Sequence, residues 1–305
     1  MRKITFPLIL LAGFIMIFSG CVSEDVPPAA AGKIGESEAG EPEIRTKRVV
    51  EEVQLVSREL SYYPDGVLAS YRVYTYADEG IQKLEEALYN SDDELLERLV
   101  YKYEDGNYRS KQTYEGLGEL LQTYDGNGEL QNYHTFKYND AGLLTEDVLY
   151  NLYDEPQTRQ EYGYDALGNK TEWKVFNGDG ALLSTTEYLY EDGLNTRIEN
   201  YSPDGTLLDY FQLEYDSSSR LIRRTWYSGE DEVMQVHRYV YENGVLAEER
   251  VLRTNGSLKR RIVYTSNRAG YPVEAVYLDG GDNIQEQMAY EYVTRTRITY
   301  QKVKE

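Results

Sequence analysis

The chain has 305 residues, one cysteine, two histidines and a formal charge of −21. An acidic balance of that size disfavours nucleic acid and bulk anionic lipid as partners, because both are polyanions. One cysteine excludes an internal disulfide and cysteine-based zinc sites, so any fold must stand on packing and backbone pairing.

The chain opens "MRKITFPLILLAGFIMIFSGC". Arg2 and Lys3 precede an apolar run, Ile4 to Phe18, too short for a comfortable membrane-spanning helix. Ser19 and Gly20 then lead into Cys21. This stretch resembles the bacterial lipoprotein signal, although Phe18 stands where leucine is usual. The resemblance implies cleavage before Cys21 and acylation of Cys21, which would hold the protein on a membrane. Removing residues 1–20 takes away two cations and no acid, which leaves −23 on the mature polypeptide. Val22, rather than aspartate, after the modified cysteine points to the outer membrane or cell surface instead of the inner membrane. Residues 21–44 follow as the acylated cysteine and a tether rich in Pro, Ala, Gly and Glu, which cannot bury enough apolar surface to fold. Residues 45–305 read as one repeat domain.

Turn signals recur there every 12–14 residues in two alternating kinds. One follows a Tyr-x-Tyr pair or a variant of it: Tyr74/Tyr76, Tyr101/Tyr103, Phe136/Tyr138, Tyr162/Tyr164, Tyr188/Tyr190, Leu213/Tyr215, Tyr239/Tyr241, Ile262/Tyr264 and Tyr290/Tyr292. From Tyr138 onward the second members are 26, 26, 25, 26, 23 and 28 residues apart. The other kind lies halfway between, as in "NGDGAL" and "SPDGTL". Asp-Gly and Asn-Gly between β-rich runs are strong hairpin signals, because glycine accepts positive φ. Each period of about 25 residues is therefore a strand–turn–strand–turn unit. The acidic stretch 81–99 keeps this register and reads as strand. "TYEGLGEL" followed by "TYDGNGEL" at 113–130 adds about ten residues. A local excursion fits better than an extra strand, which would reverse everything after it.

The turn count gives 18 or 19 strands. An open twisted sheet rarely exceeds roughly ten strands without curling or splitting. The expected fold is all-β: antiparallel hairpin repeats forming a long curled sheet, a partial barrel or a solenoid-like shell. Each Tyr-x-Tyr puts two rings on one face. The residues between are mostly polar, so the opposite face is expected to be wet. The rings are expected to form cross-strand ladders.

Tyr-Asp at 124–125, 153–154, 164–165 and 215–216, with "YDALGNKTEW" and "YNDAGLLTED", resembles the YD repeats of bacterial Rhs-type proteins. That resemblance covers about Leu60 to Val293 and implies hairpins spiralling into a β-shell. The period here is longer than a usual YD unit, and the chain ends shortly after the last repeat, so a toxin-enclosing role is not implied. "YENGVLAEE" is equally similar to MORN-like repeats.

Candidate chemistry is sparse. His134 and His237 lie in different repeats, which leaves no evident triad or zinc site. Asp125, Asn127 and Glu129, and Asp279 with Asp282, cluster oxygen ligands near glycine, but turn chemistry alone explains them. No cofactor or metal is expected, with calcium at these acidic turns as the alternative. Residues 217–270 hold an excess of Lys and Arg over acids and include Trp226. Arg223, Arg224, Arg238 and Trp226, with Tyr188, Tyr190, Tyr239 and Tyr241, are the candidate binding residues. The expected function is a non-enzymatic, lipid-anchored scaffold or protein-binding surface of the cell envelope. The alternative is a glycan- or cell-wall-binding module using exposed tyrosines.

Overall fold

In the computed structural model the described residues are 44–78, 81–102 and 120–304. Cys21, the tether, Tyr103 and the first half of the 113–130 duplication lie outside them. Eighteen strands occur among the described residues. The first nine are β1 (Ile44–Tyr62), β2 (Leu68–Tyr76), β3 (Lys83–Asn90), β4 (Leu95–Lys102), β5 (Leu120–Asp125), β6 (Leu130–Tyr138), β7 (Leu144–Tyr150), β8 (Pro156–Tyr164) and β9 (Lys170–Asn177). The second nine are β10 (Leu182–Glu191), β11 (Leu194–Tyr201), β12 (Leu207–Tyr215), β13 (Leu221–Ser228), β14 (Val233–Glu242), β15 (Val245–Leu252), β16 (Leu258–Ser266), β17 (Pro272–Asp279) and β18 (Ile284–Lys304).

Each strand pairs antiparallel with its neighbours in sequence, and β18 returns to pair with β1. Leu60 faces Tyr71 of β2 on one side and Ala289 of β18 on the other. The curled sheet therefore closes into a barrel, and closure removes the exposed edges that an open sheet must protect. Barrels of this strand number enclose a channel, not a packed core. Beyond the wall, Ile44–Val56 and Tyr292–Lys304 continue as a two-stranded ribbon. The stretch 81–99 is strand, in β3 and β4, and β4 pairs directly with β5. Residues 103–119, where most of the expected excursion falls, lie outside the described residues; the antiparallel pairing of β4 with β5 keeps the alternation of strand direction.

Turn chemistry sets the register. In Asn177–Ala181 the Asn177 N–H donates to the Ala181 carbonyl (2.9 Å) and the Gly180 N–H donates to the Asn177 carbonyl (3.0 Å). Asn177 Oδ1 accepts from the N–H groups of Asp179 and Ala181. Gly180 has φ 82°, the left-handed residue of a three-residue hairpin loop. Asp93, Asp154, Asp231 and Asp282 hold the same left-handed position without being glycine. Each of the four is gripped from the preceding even strand, by Tyr71, Tyr133, Tyr210 and Arg261 respectively. At Gly178 a Cβ would drive into the Pro156 carbonyl oxygen, so this turn packs on the neighbouring hairpin only because the side chain is missing.

A single-layer wall has two faces. On β10, Thr186 is buried and Tyr188 and Tyr190 are half-buried, whereas Glu187 and Leu189 are exposed. The Tyr-x-Tyr face is therefore the interior, and the residues between face out, as the sequence leads one to expect. The outward face carries ion pairs, among them Arg98–Glu85 (2.7 Å), Lys137–Glu146 (2.6 Å), Arg197–Glu199 (2.7 Å) and Arg250–Glu248 (2.6 Å). It also carries the stacked pairs Tyr71/Tyr89, Tyr133/Tyr150 and Tyr210/Tyr227 at 4.8–5.1 Å. Among the described residues only Val251, Ala275 and Thr225 are 1% exposed or less, so the wall encloses no extended dry core.

Register corrects one motif assignment. Ser266, not Tyr264, immediately precedes the Asn267 turn and pairs with Pro272, as Tyr164 pairs with Lys170. The β16 pair is thus Tyr264/Ser266, and the uneven spacings of 23 and 28 become 25 and 26. The tyrosine ladder is also corrected. The pairs recur on every second strand, so an odd strand separates each from the next and the motif rings do not stack on one another.

The candidate site is an interior aromatic and ionic belt

The two members of the motif do different work. The second member donates its hydroxyl to a backbone carbonyl twenty residues earlier: Tyr76 to Val56 (2.8 Å), Tyr164 to Leu144 (2.7 Å), Tyr190 to Lys170 (3.0 Å), Tyr215 to Asn195 (2.8 Å), Tyr241 to Leu221 (3.0 Å) and Tyr292 to Pro272 (2.6 Å). Each acceptor lies on the adjacent odd strand, at its first or second residue except for Val56 in the long β1, so each bond ties an even strand to its neighbour. This explains why the second member is tyrosine in eight repeats, whereas the first tolerates phenylalanine and leucine, which pack but donate nothing. First members Tyr188 and Tyr239 make no such bond among the described residues. Burial raises the Tyr188 hydroxyl and pushes Tyr239 up to about 12.

Next to these rings, ionisable groups form three arcs around the interior. In the first, Tyr74 donates to Glu59 (2.8 Å), Arg72 pairs with Glu86, and Lys83 reaches Glu86 at 3.1 Å. In the second, His134 Nδ1 lies 2.7 Å from Asp147, whose other oxygen accepts from Gln160 (3.2 Å). Gln160 Oε1 in turn accepts from the Trp173 indole (3.0 Å) and the Tyr162 hydroxyl (3.2 Å). Trp173 and Tyr162 stack at 6.4 Å, and the Lys170 ammonium lies over Tyr188 (4.5 Å), Tyr162 (5.7 Å) and Trp173 (5.9 Å). In the third, Trp226 stacks on Phe211 at 6.1 Å beside Arg224. Buried His237 sits between Glu249 (2.5 Å to Nδ1) and Gln235 (2.5 Å to Nε2). That arrangement fits a proton on Nδ1 facing the carboxylate.

The structure distributes the sequence-derived candidates over both faces. Tyr188, Tyr190, Tyr239, Tyr241, Trp226 and Arg224 face the interior. Arg223 pairs outward with Glu214 at 3.4 Å, and exposed Arg238 lies beside it across the strand pair, so residues 217–270 form no single basic patch. Asp125 Oδ1 accepts from Asn127 and Glu129, and Asp279 Oδ1 from Gly281 and Asn283, so turn amides engage these carboxylates. Among the described residues no group of three or more His, Cys, Asp or Glu is arranged to hold a metal ion. The belt itself went unread in the sequence: Glu59, Arg72, Glu86, Asp147, Gln160, Lys170, Trp173 and Glu249 are spread over seven strands. The signal that could have found it is the interior position two residues before each pair, where Arg72, His134, Gln160, Thr186 and His237 are polar.

No protein-family model matches the chain, and no curated protein matches it either. Among solved structures, it is similar to the crystal structure of TcdB2-TccC3-TEV at 14% identity and TM-score 0.32, over 76% of this chain and 16% of that one. It is also similar to a porin-like protein from Bacteroides uniformis ATCC 8492 at 14% identity and TM-score 0.38, over 81% and 98%. A porin-like protein from Bacteroides vulgatus ATCC 8482 matches at 12% identity and TM-score 0.29, over 78% and 98%. The chain spans about one sixth of the TcdB2-TccC3-TEV chain.

Proposed function

We propose that the protein is a non-enzymatic binding scaffold of a bacterial cell envelope, held there by lipid on Cys21, with the barrel interior as its binding surface. One observation carries the reading: an interior face of half-buried rings interleaved with hydrogen-bonding and charged groups. Interiors meant only for stability are dry and apolar. The outward ion pairs support a wall bathed in water, since a lipid-spanning barrel presents an apolar band there. His134 on β6 and His237 on β14 stand eight strands apart, and each is tied to a carboxylate of its own hairpin. That separation favours binding over catalysis. The YD-type resemblance fits the hairpin wall, and no toxin-delivery role is proposed.

Capture from solubilised envelope extract tests the interior. Tyr188→Ala and Trp226→Ala should lose the captured partner, while the outward variants Arg223→Ala and Arg238→Ala keep it. The reverse pattern would move the binding surface outside and end this assignment. The anchor is tested separately: a fatty-acid analogue should label the parent and not Cys21→Ser, and equal labelling would remove the lipid.

A second reading, glycan binding, is favoured by the two indole-containing stacks, Tyr162/Trp173 and Phe211/Trp226. Sugars offer apolar faces to rings and hydroxyls to the amide and carboxylate groups beside them. A screen of cell-wall glycans against the purified protein separates this reading from a protein partner.

A further inference from the structure

The repeat carries its own control for one residue. Lys83 and Lys170 occupy the same place, the first residue of an odd strand, paired with Tyr76 and Tyr164 respectively. Both ammonium groups lie over interior rings: Lys83 over Tyr74 and Tyr101, Lys170 over Tyr162, Trp173 and Tyr188. Three residues on, β3 supplies Glu86, which holds Lys83 at 3.1 Å. At that position β9 supplies Trp173, opposite Tyr162 as Glu86 is opposite Tyr74. Lys170 therefore keeps its aromatic cage, has no carboxylate or hydrogen-bond acceptor among the described residues, and gains an indole instead. Burial alone lowers its pKa, as expected for a cation held without an anion.

We infer that Lys170, Trp173, Tyr162 and Tyr188 form a binding site for an acidic sugar, whose carboxylate pairs with the Lys170 ammonium as that of Glu86 pairs with Lys83, while its ring lies on the aromatic side chains. The inference rests on the glycan reading above and narrows it to uronate-type ligands. The chemistry needs both halves. A carboxylate alone would use the ammonium and waste the rings, and a neutral sugar would leave the cation unpaired. The negative net charge of the protein does not forbid this, because at physiological ionic strength exposed charges beyond about 8 Å are largely screened.

The test uses the chain from Val22 onward, which retains every described strand, and measures binding by calorimetry at physiological salt. The probes are trigalacturonic acid, maltotriose and sodium acetate. Trigalacturonic acid should bind at least about tenfold more tightly than either of the others, the scale of one charge-assisted hydrogen bond. Lys170→Met should lose that margin. Trp173→Glu, which recreates the β3 arrangement, should abolish uronate binding while circular dichroism shows the strands intact. If maltotriose binds as well as the uronate, or Lys170→Met binds it like the parent, the Lys170 site is wrong and the glycan reading stands. If acetate matches the uronate, the site is a plain anion site and the acidic-sugar assignment falls. If none of the three binds, this inference fails, and the glycan screen separately decides the wider reading.

Discussion

At the residue scale the fold turns on a difference between neighbouring tyrosines. Tyr190 spends its hydroxyl on the Lys170 carbonyl, whereas the hydroxyl of Tyr188, two residues earlier on the same face, makes no bond among the described residues. Replacing Tyr190 by phenylalanine keeps the ring and removes one side-chain-to-backbone hydrogen bond, which costs about 0.5–1.5 kcal/mol net. Tyr188→Phe should cost nearly nothing. Chemical denaturation of the two variants checks the contrast, and equal stabilities would mean the hydroxyl ties contribute nothing. A related economy governs the aspartates at positive φ. A non-glycine residue there is strained by roughly 1–2 kcal/mol unless its side chain bonds locally. At Asp154 the side chain instead accepts a long-range bond from the Tyr133 hydroxyl at 2.7 Å, which anchors the turn, and the same bond pushes the Tyr133 pKa up to about 12.

At the element scale the unit is one even strand, one odd strand and their two turns. Much of this was legible in the sequence, because Asn-Gly, Asp-Gly and Asp-Ala-Leu-Gly turns declare themselves through the φ they require. Tyr264 shows where legibility ended. Ile262 and Tyr264 imitate the motif, and only the pairing of Ser266 with Pro272 reveals the frame. The belt was less legible still, since Lys170 and Trp173 acquire meaning only when strand register aligns them with Lys83 and Glu86. A repeat unit should be removable. Deleting Leu189–Leu213 rejoins Tyr188 to Glu214 and Tyr215, restores a Tyr-x-Tyr pair and leaves an even number of strands. Deleting residues 192–204 removes one strand and one turn. An odd count brings the last strand back parallel to β1, which the antiparallel seam cannot accept. Far-ultraviolet circular dichroism and melting should therefore show a folded first variant and a badly destabilised second. Equal loss in both would mean that the unit is drawn wrongly.

At the scale of the whole molecule, closure gives the structure its interior and hence its proposed function. The sequence supplied a strand count that forces a sheet to curl, but not the meeting of Leu60 with Ala289, which lies outside any local pattern. Once closed, a wall one residue thick separates a charged outer surface from an aromatic inner one. A folded protein with few fully buried side chains must then draw its stability from ladder hydrogen bonds, stacked rings and hydroxyl ties. Hydrogen exchange at the seam tests this most directly. In a closed wall the strand segments Arg58–Tyr62 of β1 and Gln287–Ala289 of β18 are flanked on both sides, because β1 bonds β2 and β18 while β18 bonds β17 and β1. A closed barrel predicts that the amides of these segments exchange as slowly as those of β9 and β10 on the opposite side. If alternate amides of either segment exchanged at the rate of unpaired backbone, the sheet would be open there, and the enclosed interior would not exist.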